Sequence, residues 1–375
     1  MDCYAQKKMQ YTFGEYKTSI FISRELPGAE KIVCDLGLNN KNDFKPLFVC
    51  DENTSFIAEK IIADKIFKLD DTPCCKLKSG EENKNWQAVE SILSAAQKAK
   101  LGRDGIFIAV GGGAVCDLCA FAASVYKRGC GLVLIPTSLL AMADASIGGK
   151  TGFDLFGIKN LIGSFYPAQI VYMPLDCLTS LPAAEWKSGM AEIIKTAVLA
   201  GDDFFDELNQ LRSFQNTTFD FNTHTEILRS CIEKAVLYKC GIVSEDLRES
   251  GRRMILNLGH TFAHALEASA GLGNITHGEA VAWGIVRSCA LGLTLGVTPR
   301  GRAEKISALI KSFGYNTDIA GNKDTILRAM QNDKKKKNGK LTFIVPDENS
   351  ARSVTLESET EIQIVEKIIT GEYVI

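Results

Sequence analysis

The apolar run Ile106 to Val110 leads directly into three consecutive glycines, Gly111, Gly112 and Gly113. A helix-forming stretch, Ala114 to Tyr126, follows, and then a second apolar run, Leu132 to Ile135. Runs this short and this continuously apolar are what strands buried on both faces look like. Strand, glycine turn, helix, strand is a βαβ unit, and two strands joined by a helical crossover lie parallel. The sequence therefore predicts an α/β fold with a parallel sheet, with residues 10–23 as an antiparallel hairpin on one edge.

From Pro182 onward the texture is helical. Pro182 suits the first turn of a helix running to about Ala200. Residues 223–239 read as another helix. Ile306, Leu309, Ile310 and Phe313 carry the i, i+3, i+4, i+7 spacing of an amphipathic one. A short strand at 341–345 and a helix near 358–369 follow. The division expected is a nucleotide-binding α/β domain over residues 1–180 and a helical domain over 181–375, with a cleft between them, where ligands tend to bind.

Composition narrows the function classes. Hydrophobic residues make up 46% and charged residues 23% of 375, and the formal net charge is -2. Such a balance offers no global field for nucleic acid or an anionic membrane, so an anionic ligand must be held by local cations. Residues 1–13 carry no signal-peptide pattern, and no apolar stretch is long enough to span a bilayer. The twelve cysteines are scattered through apolar runs, which fits a reducing cytoplasm better than a disulfide framework.

The glycine turn opens a helix, so it fits equally a pyrophosphate cradle or a tight connection that binds nothing. Cys116 stands where a dinucleotide fingerprint has its third glycine. Gly148-Gly149-Lys150-Thr151 resembles the end of a phosphate-binding loop, but Asp144 replaces the glycine such a loop begins with. Cys116 and Cys119 have redox spacing, yet their neighbours are apolar, and packing is the better account of them. Asp144, Lys150, Lys159 and Asn160 lie close in sequence among five glycines, as in a glycine-rich loop that captures anions.

Three of the four histidines fall between 260 and 277. His260 and His264 share one helical face, and His277-Gly278-Glu279 opens the next helix. Thr261 stands where a zinc protease has its glutamate, which disfavours that chemistry. Glu192, with Lys195 on the same face, lies on an earlier helix. One glutamate and two histidines would give a divalent ion three ligands and leave a position open.

Taken together, the stretches GGGAVCD at 111–117, KRG at 127–129, PTSLLAMADASIGGKTG at 136–152 and IKNLIGSF at 158–165 form one ordered set with GMAEIIK at 189–195, ILNLGHTFAHALE at 255–267 and HGEAVAWG at 277–284. In that order and spacing the chain resembles the 3-dehydroquinate synthases of the sugar phosphate cyclase superfamily over nearly its whole length. The resemblance implies a Rossmann-like NAD-binding domain followed by an all-helical metal-binding domain. It implies a carbon–oxygen lyase of the shikimate pathway, serving aromatic amino acid biosynthesis. Its substrate would be 3-deoxy-D-arabino-heptulosonate 7-phosphate, turned into 3-dehydroquinate and phosphate. Transient oxidation by NAD, phosphate elimination, reduction and an aldol closure would be the steps.

The resemblance also assigns residues. Glu192, His260 and His277 are the implied ligands of zinc or cobalt. Asp144, Lys150, Lys159, Asn160 and Lys195 would line the site from the first half and the first helix, and Lys239, Arg253, Asn257 and His264 from the helical half. Lys239 and Arg253 would face the substrate carboxylate, and His264 would move a proton or meet the phosphate. Arg128 would reach a neighbouring subunit's site, which implies a homodimer. Lys335 is favoured as a further phosphate contact, although the lysine run 334–337 leaves its register open. NAD would meet Asp51, Asn53, Gly80, Glu81, Lys84, Gly112, Gly113, Ala114, Asp117, Thr137, Ser138, Lys150, Lys159, Cys177 and Thr179. The chain departs from the family pattern at Ala143 and Ala145, beside Asp144, and at Ala184, none of them an expected ligand. Rival readings are another sugar phosphate cyclase, a metal-dependent polyol dehydrogenase, and a non-catalytic NAD sensor.

Overall fold

In the computed structural model the described residues are 7–38, 44–63, 72–211, 221–271, 274–318, 323–336 and 340–373, without the side chains of 202, 209–210, 221–223, 331–336 and 359–360. The chain divides into two compact units, Met1–Pro182 with Lys239–Arg248, and Ala183–Tyr238 with Glu249–Ile375.

The first unit opens with β1 (Lys7–Phe13) and β2 (Tyr16–Ser23), paired antiparallel as the hairpin expected from residues 10–23. Then come α1 (Ala29–Asp35), β3 (Pro46–Asp51), α2 (Ser55–Ile62), β4 (Cys74–Leu77), α3 (Trp86–Lys98), β5 (Ile106–Gly111), α4 (Gly113–Val125) and β6 (Gly131–Pro136). The hairpin β7 (Lys150–Leu155) and β8 (Ile158–Phe165) precedes β9 (Ile170–Pro174). Seven strands form one sheet in the order β1-β2-β9-β6-β5-β3-β4, parallel throughout except for the β1–β2 pair. The central strands β5 and β9 are buried at every position, which is why their sequences are continuously apolar, while the edge strand β1 alternates.

The chain steps from β3 outward to β4, then returns to the other side of β3 as β5. Such a reversal leaves a crevice beyond the carboxyl ends of the two strands, where ligands bind in open α/β sheets. Asp51 ends β3, and Gly111 to Gly113 follow β5 into α4.

The glycine-rich stretch at 148–163 is a hairpin rather than the expected loop. A side chain on Gly152 would meet the Ile162 carbonyl at 2.5 Å, and one on Gly163 would meet the Thr151 carbonyl at 2.1 Å. These glycines therefore let two backbones cross closely. Lys150 pairs with Phe165 at one end of the hairpin and Lys159 lies at the other, so the two lysines are not the single cluster their spacing suggests.

The second unit holds α5 (Ala183–Ala200), α6 (Asp202–Gln210), most of α7 (Phe221–Glu245), α8 (His260–Ala270), α9 (His277–Thr294), α10 (Arg300–Ser312), α11 (Lys323–Lys336) and α12 (Glu359–Ile369). It is not wholly helical, because β10 (Leu341–Pro346) and β11 (Ala351–Leu356) pair antiparallel. Helix α9 is its centre, buried at nearly every position from Gly278 to Gly292. Trp283 is fully buried there, against Phe262 at 6.2 Å between ring centroids. The end of α7, from Lys239, belongs with the first unit, which a division at 180/181 does not anticipate.

Candidate metal centre and cofactor cradle

Two close backbone approaches and one left-handed glycine build the centre in the second unit. A side chain on Gly284 would lie 2.2 Å from the Gly259 carbonyl, so the turn entering α8 rests directly on α9. A side chain on Gly278 would lie 2.4 Å from the Ser188 Cα, so the start of α9 rests on α5. Gly259 has a left-handed φ of 80°, which turns the chain into α8. His260 follows Gly259, His277 precedes Gly278, and Glu192 lies one turn beyond Ser188. The helices can approach only where they lack side chains, and the three functional residues stand beside those places.

The result is a donor group in which a carboxylate oxygen of Glu192 and one ring nitrogen each of His260 and His277 all lie within 4.8 Å of one another. Glu192 Oε1 is 3.2 Å from His277 Nε2 and 3.7 Å from His260 Nε2. The far nitrogens are also held: His260 Nδ1 is 3.1 Å from the Leu258 carbonyl and His277 Nδ1 is 3.4 Å from Glu267 Oε1. With Nδ1–H donated outward and Nε2 deprotonated, as a bound ion would require of both rings, each Nε2 lone pair would point at the shared position. Lys195, 2% exposed, pairs with Glu192. Burial and the Lys195 charge push the His260 pKa down to about 3, which keeps that imidazole neutral. Burial opposes a charge on His277, but contacts with Glu192 and Glu267 outweigh it and hold its pKa up to about 10.

His264 stacks edge-on against His260 at 5.5 Å and stands outside the donor group. Arg253, 1% exposed, and Asn257 lie on the 3-10 turn Arg252–Asn257, where Asn257 donates to Glu249. Glu249 has a left-handed φ of 57°. Glu267 and Glu249 are functional candidates to which sequence reasoning gave no role. Glu267 follows His260 by seven residues, the spacing of one helical face, and that signal was available. Lys335 is on the last turn of α11, and its side chain lies outside the described residues.

In the first unit, the residues assigned to NAD follow strand ends. Asp51 closes a turn by accepting the N–H groups of Asn53 at 3.0 Å and Thr54 at 2.9 Å. Gly80 and Glu81 follow β4, and Cys177 and Thr179 lie in a 3-10 turn after β9. Thr137 donates its N–H to the Gly111 carbonyl at 2.9 Å, and Ser138 accepts from Ala141. A side chain on Gly111 would strike Val115 at 2.6 Å, so that glycine is needed for packing. Gly112 is different: its φ is -73°, and a side chain there would come no closer than 3.5 Å to anything. Neither packing nor backbone requires glycine at 112, beside the N-terminus of α4, where Gly113 and Ala114 begin the helix.

Lys84, 4% exposed, donates to Asp117 Oδ2 at 2.5 Å and to Asn160 Oδ1 at 2.7 Å. Burial opposes its charge, but Asp117 outweighs that and raises its pKa. Lys239 donates to both the carbonyl and Oδ1 of Asp144, each at 2.7 Å. Thus Lys84, Asp117 and Asn160 are brought together, as are Asp144 and Lys239. Lys150, Lys159 and Arg128 are exposed.

Comparison with known proteins places this arrangement. Family models described as 3-dehydroquinate synthase N-terminal and C-terminal match residues 74–188 and 189–336. The chain belongs to the 3-dehydroquinate synthase family. It is 40% identical to the 3-dehydroquinate synthase of Prochlorococcus marinus (strain NATL1A) over 275 residues, 72% of this chain and 73% of that protein. It is 36% identical to that of Colwellia psychrerythraea over 331 residues, 84% and 90% of the two. A solved 2-deoxy-scyllo-inosose synthase, in complex with carbaglucose-6-phosphate, NAD+ and Co2+, superposes with a TM-score of 0.80 at 22% identity, covering 97% of this chain and 99% of that one. That likeness shows the shared fold.

Proposed function

We propose that the protein converts 3-deoxy-D-arabino-heptulosonate 7-phosphate to 3-dehydroquinate and phosphate, with NAD and a divalent ion, zinc or cobalt. The observation that carries this reading is the donor group of Glu192, His260 and His277 in a chain of this family. Two imidazoles and a carboxylate are a donor set of catalytic zinc, and both imidazoles have the outer partners that such ligands need. A divalent ion there supplies Lewis-acid polarisation of a substrate hydroxyl, and NAD supplies an oxidation that is reversed within the turnover.

The chain's own residues do the rest. Gly112 leaves room for a pyrophosphate at the start of α4, and Asp51 faces the crevice at the end of β3. Lys84, fixed by Asp117, holds Asn160 in place. Lys195 and Arg253 are the buried cations proposed for the substrate's anionic groups, and the family motifs add Lys150, Lys159 and Lys239 to them. His264, outside the metal donors, is the candidate for moving a proton or meeting the phosphate.

A homodimer is part of the proposal. Lys127 and Arg128 both have left-handed φ angles, 48° and 67°, and the strained turn presents Arg128 to solvent. The β7–β8 hairpin exposes Phe156 at 86% and Leu161 at 42%, apolar side chains for a second copy to cover. The cytoplasm is the proposed compartment, in keeping with free thiols at all described cysteines.

The deciding experiment measures phosphate release from the heptulosonate phosphate, with and without a chelator. Release that stops on chelation, returns with zinc and leaves no accumulated NADH supports the reading. Steady NADH accumulation would identify a polyol dehydrogenase instead, and turnover of sedoheptulose 7-phosphate another cyclase.

A further inference from the structure

We propose that Glu267 is a positioning residue of the metal centre, holding the His277 ring by Nδ1 and making its Nε2 a stronger donor than that of His260. The inference rests on the metal reading above. Glu267 lies two helical turns after His260 on α8 and is 8% exposed, with Oε1 3.4 Å from His277 Nδ1. The opposite nitrogen of the same ring is 3.2 Å from Glu192 Oε1. The imidazole is thus gripped at both ends, and Glu267 occupies the end that does not face the donor group.

The two imidazoles have unlike partners. His260 Nδ1 meets a neutral carbonyl, that of Leu258. His277 Nδ1 meets a carboxylate, which draws the N–H proton toward itself and leaves more electron density on Nε2. Position in the fold explains why the stronger partner is needed there. His277 is the first residue of α9, where the partial positive charge of a helix N-terminus makes an imidazole less basic. The Thr276–Glu279 capping box fixes the backbone at that point, but it does not fix rotation of the His277 ring. Glu267 supplies both the orientation and the charge. Its backbone carbonyl accepts from Gly271 to end α8, and substitution of the side chain leaves that bond in place.

The test is zinc affinity by competition with a chelator, for wild type, Glu267→Gln and Glu267→Ala, beside the visible absorption of the cobalt-loaded forms. Glu267→Ala is expected to weaken zinc binding by about 10- to 100-fold. Glu267→Gln keeps an oxygen that accepts the Nδ1 proton, so it should recover much of the affinity while its cobalt bands stay displaced from wild type. A purely structural role predicts no rescue by Gln beyond its effect on metal-free melting temperature. Affinity and cobalt spectrum in both variants identical to wild type would overturn the inference and leave the metal reading intact. If Glu267→Ala fails to fold, the isosteric Gln variant decides by the same two readouts. Wild type that takes up no divalent ion sinks the metal reading itself, and this inference with it.

Discussion

His260 and His264 sit one turn apart on α8, yet only the first belongs to the donor group. The separation of roles has a measurable consequence. His264→Ala should retain wild-type zinc content by metal analysis while losing most turnover. His260→Ala should lose the metal, because a bound ion would then keep only two protein ligands. Equal zinc in wild type and His260→Ala would refute the ligand assignment. At a site away from the chemistry, the Asp347 carboxylate accepts N–H groups from Ser350 at 2.8 Å and Asn349 at 3.2 Å, and Arg352 lies 3.3 Å away. Burial opposes its charge, but these contacts outweigh it and hold its pKa below the ordinary value. A depressed carboxyl stabilises the fold above its unfolded value of about 3.9 and loses that contribution as pH falls through the lower folded one. Asp347→Asn keeps an acceptor but loses the charge, and the Arg352 partner is largely in solvent, so stability should fall by less than about 1 kcal/mol at neutral pH. Urea midpoints of the two proteins should converge below about pH 3.9.

At the scale of elements, the centre depends on how closely α5, α8 and α9 approach. Gly284→Ala puts a methyl group 2.2 Å from the Gly259 carbonyl, a backbone atom that cannot swing aside. The helices must separate, at a cost of about 1–3 kcal/mol. Because His260 follows Gly259 directly, the same substitution should weaken zinc binding. Gly112→Ala meets nothing nearer than 3.5 Å and should leave the melting temperature of the ligand-free protein unchanged. It should weaken NAD binding, measured by calorimetry, since the added methyl group fills the space proposed for the pyrophosphate. Unchanged NAD affinity would return the glycine turn to a tight connection that binds nothing.

Across the whole molecule, the two proposed ligands belong to different units. Zinc should slow hydrogen exchange chiefly at the starts of α8 and α9 and along α5. NAD should slow it at the segments after β3, β4 and β5, because each ligand stabilises the conformation it binds. Protection by zinc centred on the first unit would contradict the assignment. Among the described residues no helix is long and apolar enough to cross a membrane.

The sequence by itself determined what local chemistry dictates. Buried parallel strands must be apolar without interruption, so β5 and β6 were legible, as was the helix between them. Helical period put His260 and His264 on one face, and His277-Gly278-Glu279 read as the start of the next helix. Family motifs identified Glu192 as their partner, although nothing local ties it to residues so distant in the chain. Tertiary structure alone decided the rest. Glu192 meets the histidines because glycines at 259, 278 and 284 let three helices touch, and such fits between distant backbones leave no periodic trace. The glycines at 152 and 163 pair across a hairpin for the same reason, and so look like a loop in one dimension. The spacing puts Glu267 on the face of His260, but its contact with His277 shows only in three dimensions, because an acidic residue on a helix is ordinarily a solvated one until a partner arrives from another helix.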